Sequence, residues 1–149
     1  MSRFLAGLCA AAALTLVGTV ATACPGGEMK AQATPATMTT AQLEEAMSAK
    51  KVTVVDTNNA EKFAKAHIPG ATHVPYDQVS ASTLPADKNA SLVFYCANTM
   101  CGASKKAATA AMGEGYNNVA VYPEGIDGWV AAGKPVEAAK AAKAAKGGS

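Results

Sequence analysis

Short apolar runs alternate with helical segments through the middle of this 149-residue chain. The runs at 52–55, 91–95 and 118–122 are rich in β-branched and aromatic residues, which is typical of strands buried on both faces of a sheet. Strands separated by helices need crossover connections, and these place neighbouring strands parallel. The sequence therefore predicts an α/β fold, in which helices flank both faces of a central, mostly parallel sheet.

Helix boundaries are predicted from capping and breaker residues. Thr39 and Gln42 have the spacing of a capping box, which opens a helix that ends near Met47. Further helices are predicted at 59–66, 102–112 and 126–132, and a fourth short strand at 72–74. The helices between strands supply the crossovers that a parallel sheet requires.

Composition divides the chain into four parts. We predict a signal peptide at 1–23, a flexible tether at 24–37, one folded domain at 38–137 and an Ala/Lys-rich tail at 138–149. The tether is rich in Ala, Thr, Pro and Gly and has no apolar period, as in flexible linkers. The tail repeats Ala-Ala-Lys and has no apolar stripe that could pack against the domain.

The first segment indicates export. Arg3 precedes a run of small apolar residues, and Ala21-Thr22-Ala23 fits the small-x-small rule for signal-peptide cleavage. The alternative is a membrane anchor that is not removed, although the run is short for a spanning helix. Cys24 follows the cleavage point and is similar to the lipidated first residue of bacterial lipoproteins. We therefore expect the protein in the periplasm or, if Cys24 is lipidated, at the surface of a cell-envelope membrane.

A cysteine stands where the strand at 91–95 ends and a helix begins. Open α/β folds bind ligands beyond the carboxyl ends of their strands, and Cys96 lies at such a point. A short loop follows, made of Ala97, Asn98, Thr99, Met100, Cys101 and Gly102. We expect the backbone N–H groups of this loop, with the positive end of the next helix, to point at the Cys96 sulfur and favour the nucleophilic thiolate. The alternative is a buried structural thiol.

The chain resembles rhodanese-like domains in three stretches. Val54-Val-Asp56 through Ala66-His-Ile-Pro-Gly-Ala71 is similar to the amino-terminal signature of that family. Val93-Phe-Tyr-Cys96 resembles the catalytic strand and cysteine. The closing segment is similar in Glu124-Gly-Ile-Asp-Gly-Trp129 and Gly133-Lys-Pro-Val136.

The resemblance implies a sulfurtransferase that needs no cofactor. Cys96 would take a sulfane sulfur from a small donor as a persulfide, and a thiol or cyanide would accept it. The amides of residues 97–102 would form the cradle for the negative charge. The resemblance gives His67, Gly125 and Trp129 structural roles. One small domain of this kind is expected to be a monomer.

The loop departs from the family pattern in its charge. Rhodanese-like proteins that act on thiosulfate often carry Arg or Lys in the loop, and Arg two residues after the position of Asp56. Here the loop has no basic residue, and Asn58 occupies that later position. Lys105 and Lys106 follow in the predicted helix, either as a long-range attraction or as a solvated face. Thiosulfate is therefore not favoured as the natural donor.

A second departure is Cys101, which lies in the same loop as Cys96. Cys101 is interpreted in three ways: it resolves or receives the persulfide, it forms a disulfide with Cys96, or it closes the loop as a small residue. Export to an oxidising compartment favours the disulfide. An alternative function follows, in which Cys96 and Cys101 form a non-enzymatic module that binds thiols or soft metals, or senses redox state.

Charge disfavours two other classes of protein. The formal net charge is only +2 and no basic patch is interleaved with aromatic residues, so we expect no nucleic-acid partner. Phosphatases and arsenate reductases with a cysteine loop hold their oxyanion with a fixed bidentate cation, normally arginine. Arg3 is the only arginine of the chain and lies in the predicted signal peptide. No set of four metal ligands is visible, so no metal site is predicted.

Overall fold

The computed structural model of the protein describes residues 34–138. The elements are β1 (Ala36–Thr37), α1 (Thr40–Ser48), β2 (Thr53–Asp56), α2 (Ala60–Lys65), β3 (Thr72–His73), β4 (Ser91–Tyr95), α3 (Ala103–Gly113), β5 (Asn118–Tyr122) and α4 (Gly125–Ala131). The predicted signal peptide, Cys24, and nearly all of the predicted tether and tail lie outside the described residues.

The strands form one sheet in the order β1-β5-β4-β2-β3, and every pairing is parallel. This arrangement confirms the predicted α/β fold with a parallel sheet. β4 is central and pairs with β2 and β5, so that Tyr95 lies beside Asp56 on one side and Tyr122 on the other. The residues that follow these three positions therefore leave the sheet at the same edge.

Apolar side chains of alternating strand positions build a core on each face of the sheet. α3 covers one face with Ala107, Ala108 and Ala111, which pack on Val55, Leu92, Phe94, Val119 and Val121. α1 and α4 cover the other face with Leu43, Ile126 and Trp129, which pack on Val54, Val93, Tyr95 and Tyr122. Helices therefore flank both faces, as predicted. The alanines of α3 allow its backbone to lie close to the sheet, since they add little side-chain volume.

The capping box predicted at α1 is present. Thr39 is the N-cap, and its side chain accepts a hydrogen bond from the Gln42 N–H group. The Gln42 side chain accepts a hydrogen bond from the Thr39 N–H group at 2.9 Å. α2 begins in a similar way, because the Asn59 side chain accepts a hydrogen bond from the Lys62 N–H group at 2.9 Å.

The start of the folded domain differs from the prediction. We expected a tether through residue 37, but Ala36 and Thr37 form β1 and pair with β5 at the edge of the sheet. The Met38 N–H group continues this contact and donates to the Val121 carbonyl at 2.9 Å. β1 is held by backbone hydrogen bonds while both of its side chains are exposed, so it has no apolar pattern from which to predict it.

At the other end, Glu137 exchanges backbone hydrogen bonds with His67 at 2.8 and 2.9 Å. None of the helices between residues 34 and 138 is long and apolar enough to cross a membrane.

Candidate active site

The backbone that carries Cys96 is held by the start of α4 as it leaves β4. The Cys96 carbonyl accepts a hydrogen bond from the Ile126 N–H group at 2.9 Å, and the Ala97 carbonyl accepts one from Asp127 at 2.9 Å. Only glycine at position 125 allows the two backbones to approach this closely, since a Cβ atom there would lie 2.5 Å from both carbonyl oxygens. Its φ of +64° is also a conformation that glycine adopts more readily than other residues. The turn before α4 therefore fixes where the loop begins.

The Cys96 side chain is only 1% exposed and lies inside the loop formed by residues 97–102. Its S–H group donates to the Cys101 carbonyl, with 3.1 Å between sulfur and oxygen, and is 3.9 Å from the Asn98 carbonyl. The Ser104 hydroxyl lies 3.4 Å from the same sulfur. The thiol thus meets carbonyl acceptors and one hydroxyl group.

The loop amides do not all point at Cys96, which corrects the predicted cradle. The Met100 N–H group donates to the Asn98 side chain and the Cys101 N–H group to the Asn98 carbonyl, each at 3.1 Å. Asn side chains commonly fold onto the backbone two residues further on, and this turn uses amides that were expected to face the sulfur. Asn98 is itself held by Asp127, whose carboxylate accepts from its side-chain amide at 2.9 Å.

The remaining loop residues differ widely in exposure. Ala97 is buried, Cys101 is half-buried, and Thr99 and Gly102 are exposed. Met100 is 92% exposed at the tip of the loop. Cys101 is therefore accessible to solvent while Cys96 is covered.

The electrostatic surroundings of Cys96 differ from the prediction of a stabilised thiolate. Burial raises the pKa of the Cys96 thiol, and the adjacent Cys101 side chain raises it further. The hydroxyl and N–H groups of Ser104 act in the opposite direction but do not outweigh burial. A buried thiol that faces carbonyl oxygens keeps its proton, because a thiolate there would lose hydration and meet the negative ends of peptide dipoles.

Cys101 has the more acidic thiol of the two. Burial alone would raise the pKa of Cys101, but the neighbouring Cys96 side chain acts in the opposite direction and lowers the pKa. The backbone N–H groups of Ala103 and Ala97 lower the pKa further, and so does the positive charge of Lys62. Both cysteines are free thiols. Of the two thiols, Cys101 is therefore expected to lose its proton first as the pH rises.

Two residues of this site were missed by the sequence analysis. Ser104 is buried in the first turn of α3, where it faces Cys96. A small polar residue soon after a candidate nucleophile was a signal that could have identified it. Lys62 belongs to α2, and nothing in the sequence relates that helix to the loop. The positive charge that lowers the pKa of Cys101 therefore belongs to α2, whereas the sequence points to Lys105 and Lys106 of α3.

The end of β2 lies beside the loop, as the register of the sheet requires. Both the N–H and the hydroxyl group of Thr57 donate to the Tyr95 carbonyl, at 2.9 and 2.8 Å. The Asn58 N–H group donates to the Asp56 carboxylate at 2.8 Å. The other Asp56 oxygen and the Asn58 side-chain nitrogen are buried without a hydrogen-bond partner. Asn58 thus brings a neutral amide to the position where the family pattern has arginine.

The two histidines stack on either side of Phe63. The ring centroid of Phe63 is 3.9 Å from that of His67 and 4.7 Å from that of His73. His67 Nδ1 lies 2.8 Å from the Phe63 carbonyl, and His73 Nε2 lies 2.8 Å from the Asn58 carbonyl. These contacts use both side chains to hold α2 and the end of β2, which fits the structural role given to His67. Within residues 34–138, no group of three or more His, Cys, Asp and Glu side chains could hold a metal ion.

Comparisons with known proteins identify relatives of the whole domain. The family model for the rhodanese-like domain matches residues 39–132. Thiosulfate:glutathione sulfurtransferase of Saccharomyces cerevisiae is 30% identical over 95 residues, which covers 55% of this chain and 67% of the yeast protein.

Solved structures share the same fold. A protein of Bacillus halodurans is 25% identical and superposes with a TM-score of 0.63 over 69% of this chain and 77% of its own. A Rhodopseudomonas palustris protein of unknown function, considered a possible tyrosine phosphatase, is 27% identical with a TM-score of 0.59, covering 69% of this chain and 85% of its own. A human single-domain sulfurtransferase is 20% identical with a TM-score of 0.58, covering 64% of this chain and 95% of its own, and shows likeness of fold alone.

Proposed function

Because this chain belongs to the rhodanese-like domain family, we propose that it is a sulfurtransferase that carries a sulfane sulfur as a persulfide on Cys96. The observation that carries the proposal is the pair of thiols at the end of β4. Cys96 is buried at the base of the loop, and its S–H group donates to the Cys101 carbonyl. The Cys101 thiol next to it is partly exposed and has a lowered pKa. A nucleophile and an adjacent proton acceptor are the two parts that thiol chemistry needs.

Loading begins with transfer of the Cys96 proton to the Cys101 thiolate. The Cys96 thiolate then attacks the outer sulfur of a donor R–S–SH. A new S–S bond to Cys96 forms while the donor's S–S bond breaks, and R–S⁻ leaves with the electron pair. The product is the persulfide Cys96–S–SH, whose inner sulfur lies beside the Ser104 hydroxyl group.

Discharge is a second displacement at the outer sulfur. An acceptor thiolate attacks it, forms R′–S–SH and releases Cys96 as a thiolate, to which Cys101 can return the proton. Cyanide acts in the same way and gives thiocyanate and a proton. Each displacement moves one sulfur atom and no net electrons, so the cycle needs no redox cofactor.

The charge of the site favours a small persulfide over thiosulfate as the donor. Thiosulfate is a dianion, and a fixed bidentate cation is the usual means of holding such a group. The loop has no basic residue, Asn58 brings only a neutral amide, and Lys62 supplies a single charge near Cys101. The same lack of arginine disfavours the phosphatase chemistry suggested for the R. palustris protein.

Intact-mass spectrometry of the reduced protein after treatment with polysulfide tests this assignment. We expect a gain of one sulfur atom in the wild type, no gain in Cys96→Ser, and a slower gain in Cys101→Ser, since the latter lacks the proton acceptor. Retention of the gain in Cys96→Ser with its loss in Cys101→Ser would place the carrier on Cys101 instead.

The interaction of the Cys96 and Cys101 side chains also favours a second candidate function, a redox-sensing or soft-metal-binding pair. A titration of accessible thiols separates the two candidates. A soft metal ion or a mild oxidant would mask both Cys96 and Cys101 in a binding or sensing module, whereas a sulfane donor would modify one of them in a sulfurtransferase.

The site of action is proposed from the sequence. Cleavage after Ala23 would place the domain in the periplasm, and a lipid on Cys24 would hold it at a membrane surface. The mass of the protein isolated from a bacterial membrane fraction tests this, because it shows both the first residue and any attached lipid.

A further inference from the structure

The Cys101–Gly102 peptide group has an orientation that suits a thiol and opposes an anion. Its carbonyl oxygen lies 3.1 Å from the Cys96 sulfur, where it accepts the S–H proton. A Cys96 thiolate or persulfide anion has no proton to donate there and would be repelled by the negative end of the carbonyl dipole. The charged forms required by the proposed function are therefore disfavoured while this peptide group keeps its orientation.

This peptide group is weakly held. Among the hydrogen bonds of residues 34–138, the Cys101 carbonyl accepts from the Cys96 thiol alone, and the Gly102 N–H group has no protein partner. The neighbouring peptide groups are engaged, since Cys101 N–H donates to Asn98 and the Gly102 carbonyl accepts from Lys106, both at 3.1 Å. Rotation of this one unit would break a single S–H···O contact and leave the turn and α3 intact.

Gly102 is the residue that would permit such a rotation. Turning the peptide group by about half a turn would take φ of residue 102 from −84° to the region near +96°, which glycine occupies readily and other residues avoid. Neither the present φ nor packing requires glycine here, because a Cβ atom at Gly102 would meet nothing within 4 Å. Glycine also leaves α3 without a side-chain cap.

We propose that Gly102 is a positioning residue, and that the Cys101–Gly102 peptide group flips when Cys96 becomes charged. The flip replaces a carbonyl acceptor with the Gly102 N–H donor beside the sulfur. The proposal rests on the proposed function, in that the charge to be stabilised is that of the Cys96 thiolate and persulfide. The flip would direct at Cys96 one N–H donor of the predicted cradle, a donor that the resting loop does not supply.

The test compares Gly102→Ala with Gly113→Ala, both studied in the full chain. Each adds one methyl group at an end of α3 where nothing lies within 4 Å, and neither position has a positive φ in the resting structure. We expect both variants to fold with thermal midpoints no lower than about 4 °C below wild type. The rate of persulfide loading on Cys96 is then followed by mass spectrometry as a function of pH.

In Gly102→Ala we expect loading at neutral pH to be at least about tenfold slower than in wild type. In the Cys101→Ser background, where Cys96 must ionise without the Cys101 proton acceptor, the same substitution should raise the pH midpoint of loading by about one unit. Gly113→Ala should match wild type at every pH. Gly102→Asn should load at an intermediate rate, because asparagine tolerates positive φ better than alanine does.

The outcomes separate this proposal from the one on which it rests. Failure of the wild type to load sulfur on Cys96 would contradict the proposed function. Loading by Gly102→Ala at the wild-type rate and pH midpoint, while the wild type loads normally, would overturn the flip alone. A rate that falls without a shift of the midpoint when Gly102→Ala is combined with Cys101→Ser would overturn it as well, because it would indicate general damage to the loop.

Discussion

At the scale of single residues, the two thiols of the loop have different surroundings and therefore different expected chemistry. Cys96 is buried against carbonyl oxygens, whereas Cys101 is partly exposed beside N–H groups and the Lys62 charge. The proposed nucleophile, Cys96, is thus the less acidic thiol in the resting protein. We expect its activation to depend on its neighbours, Cys101 and Ser104.

The order of ionisation is directly testable with a small alkylating agent. The lowered pKa of Cys101 predicts that its alkylation rate rises with pH at values below the ordinary thiol midpoint, and the raised pKa of Cys96 predicts a rise only above it. Peptide mapping of the modified cysteine after brief exposure at neutral pH should show Cys101 labelled first. Equal labelling of the two thiols, or labelling of Cys96 first, would contradict this order.

Ser104 is expected to assist Cys96 when it ionises. Its hydroxyl group lies 3.4 Å from the sulfur, and Ser104→Ala removes it without adding volume in a buried place. Loss of one hydrogen bond of ordinary strength, about 1 kcal/mol, predicts persulfide loading about threefold to tenfold slower at neutral pH.

The matched control for Ser104 is Thr109→Ala, which removes a hydroxyl group bonded to the Lys105 carbonyl on the same helix. Loading rates measured side by side should fall in Ser104→Ala and stay at the wild-type value in Thr109→Ala. An unchanged rate in both variants would leave Ser104 without a role in sulfur transfer.

At the scale of elements, the turn between β5 and α4 positions the loop formed by residues 97–102. Gly125 has a positive φ, and a Cβ atom at this position would also clash with the carbonyl oxygens of Cys96 and Ala97. Gly133 has a similar φ of +70°, but a Cβ atom there would meet nothing within 4 Å. The two glycines therefore separate the cost of backbone conformation from the cost of a clash with the loop.

Gly133→Ala is expected to lower the free energy of unfolding by about 1 kcal/mol, which is the cost of a left-handed conformation. Gly125→Ala should lower it by more than about 2 kcal/mol, because the loop backbone must also move. It should also slow loading of Cys96. Urea denaturation gives both free energies, and equal losses for the two variants would refute the close contact.

Between residues 34 and 138, the helices and four of the five strands were predictable from local patterns, whereas β1 and much of the loop were not. The spans of β4 and β5 match the predicted runs because buried β-branched and aromatic residues identify them. β1 depends on backbone pairing alone, and Lys62 reaches the site through the packing of α2. The orientation of individual peptide groups around Cys96 follows from Asn98 and its contact with Asp127, which a sequence does not reveal.

At the scale of the whole molecule, a parallel sheet covered on both faces holds a short loop at its carboxyl edge. Between residues 34 and 138, the large apolar side chains that remain exposed are Tyr76, Met100, Val130 and Val136. We expect so few exposed apolar groups to leave the domain monomeric. Sedimentation equilibrium should give the mass of a single chain, and a concentration-dependent increase toward twice that mass would contradict the expectation.

The central claim is that Cys96 carries the transferred sulfur, and peptide mapping of the unmodified wild-type protein tests it most directly. The reduced protein is loaded with polysulfide, and its cysteines are blocked before and after addition of an acceptor thiol. We predict one extra sulfur on Cys96 that disappears when the acceptor is added. An extra sulfur found on Cys101 alone, or one on Cys96 that no acceptor removes, would contradict the claim.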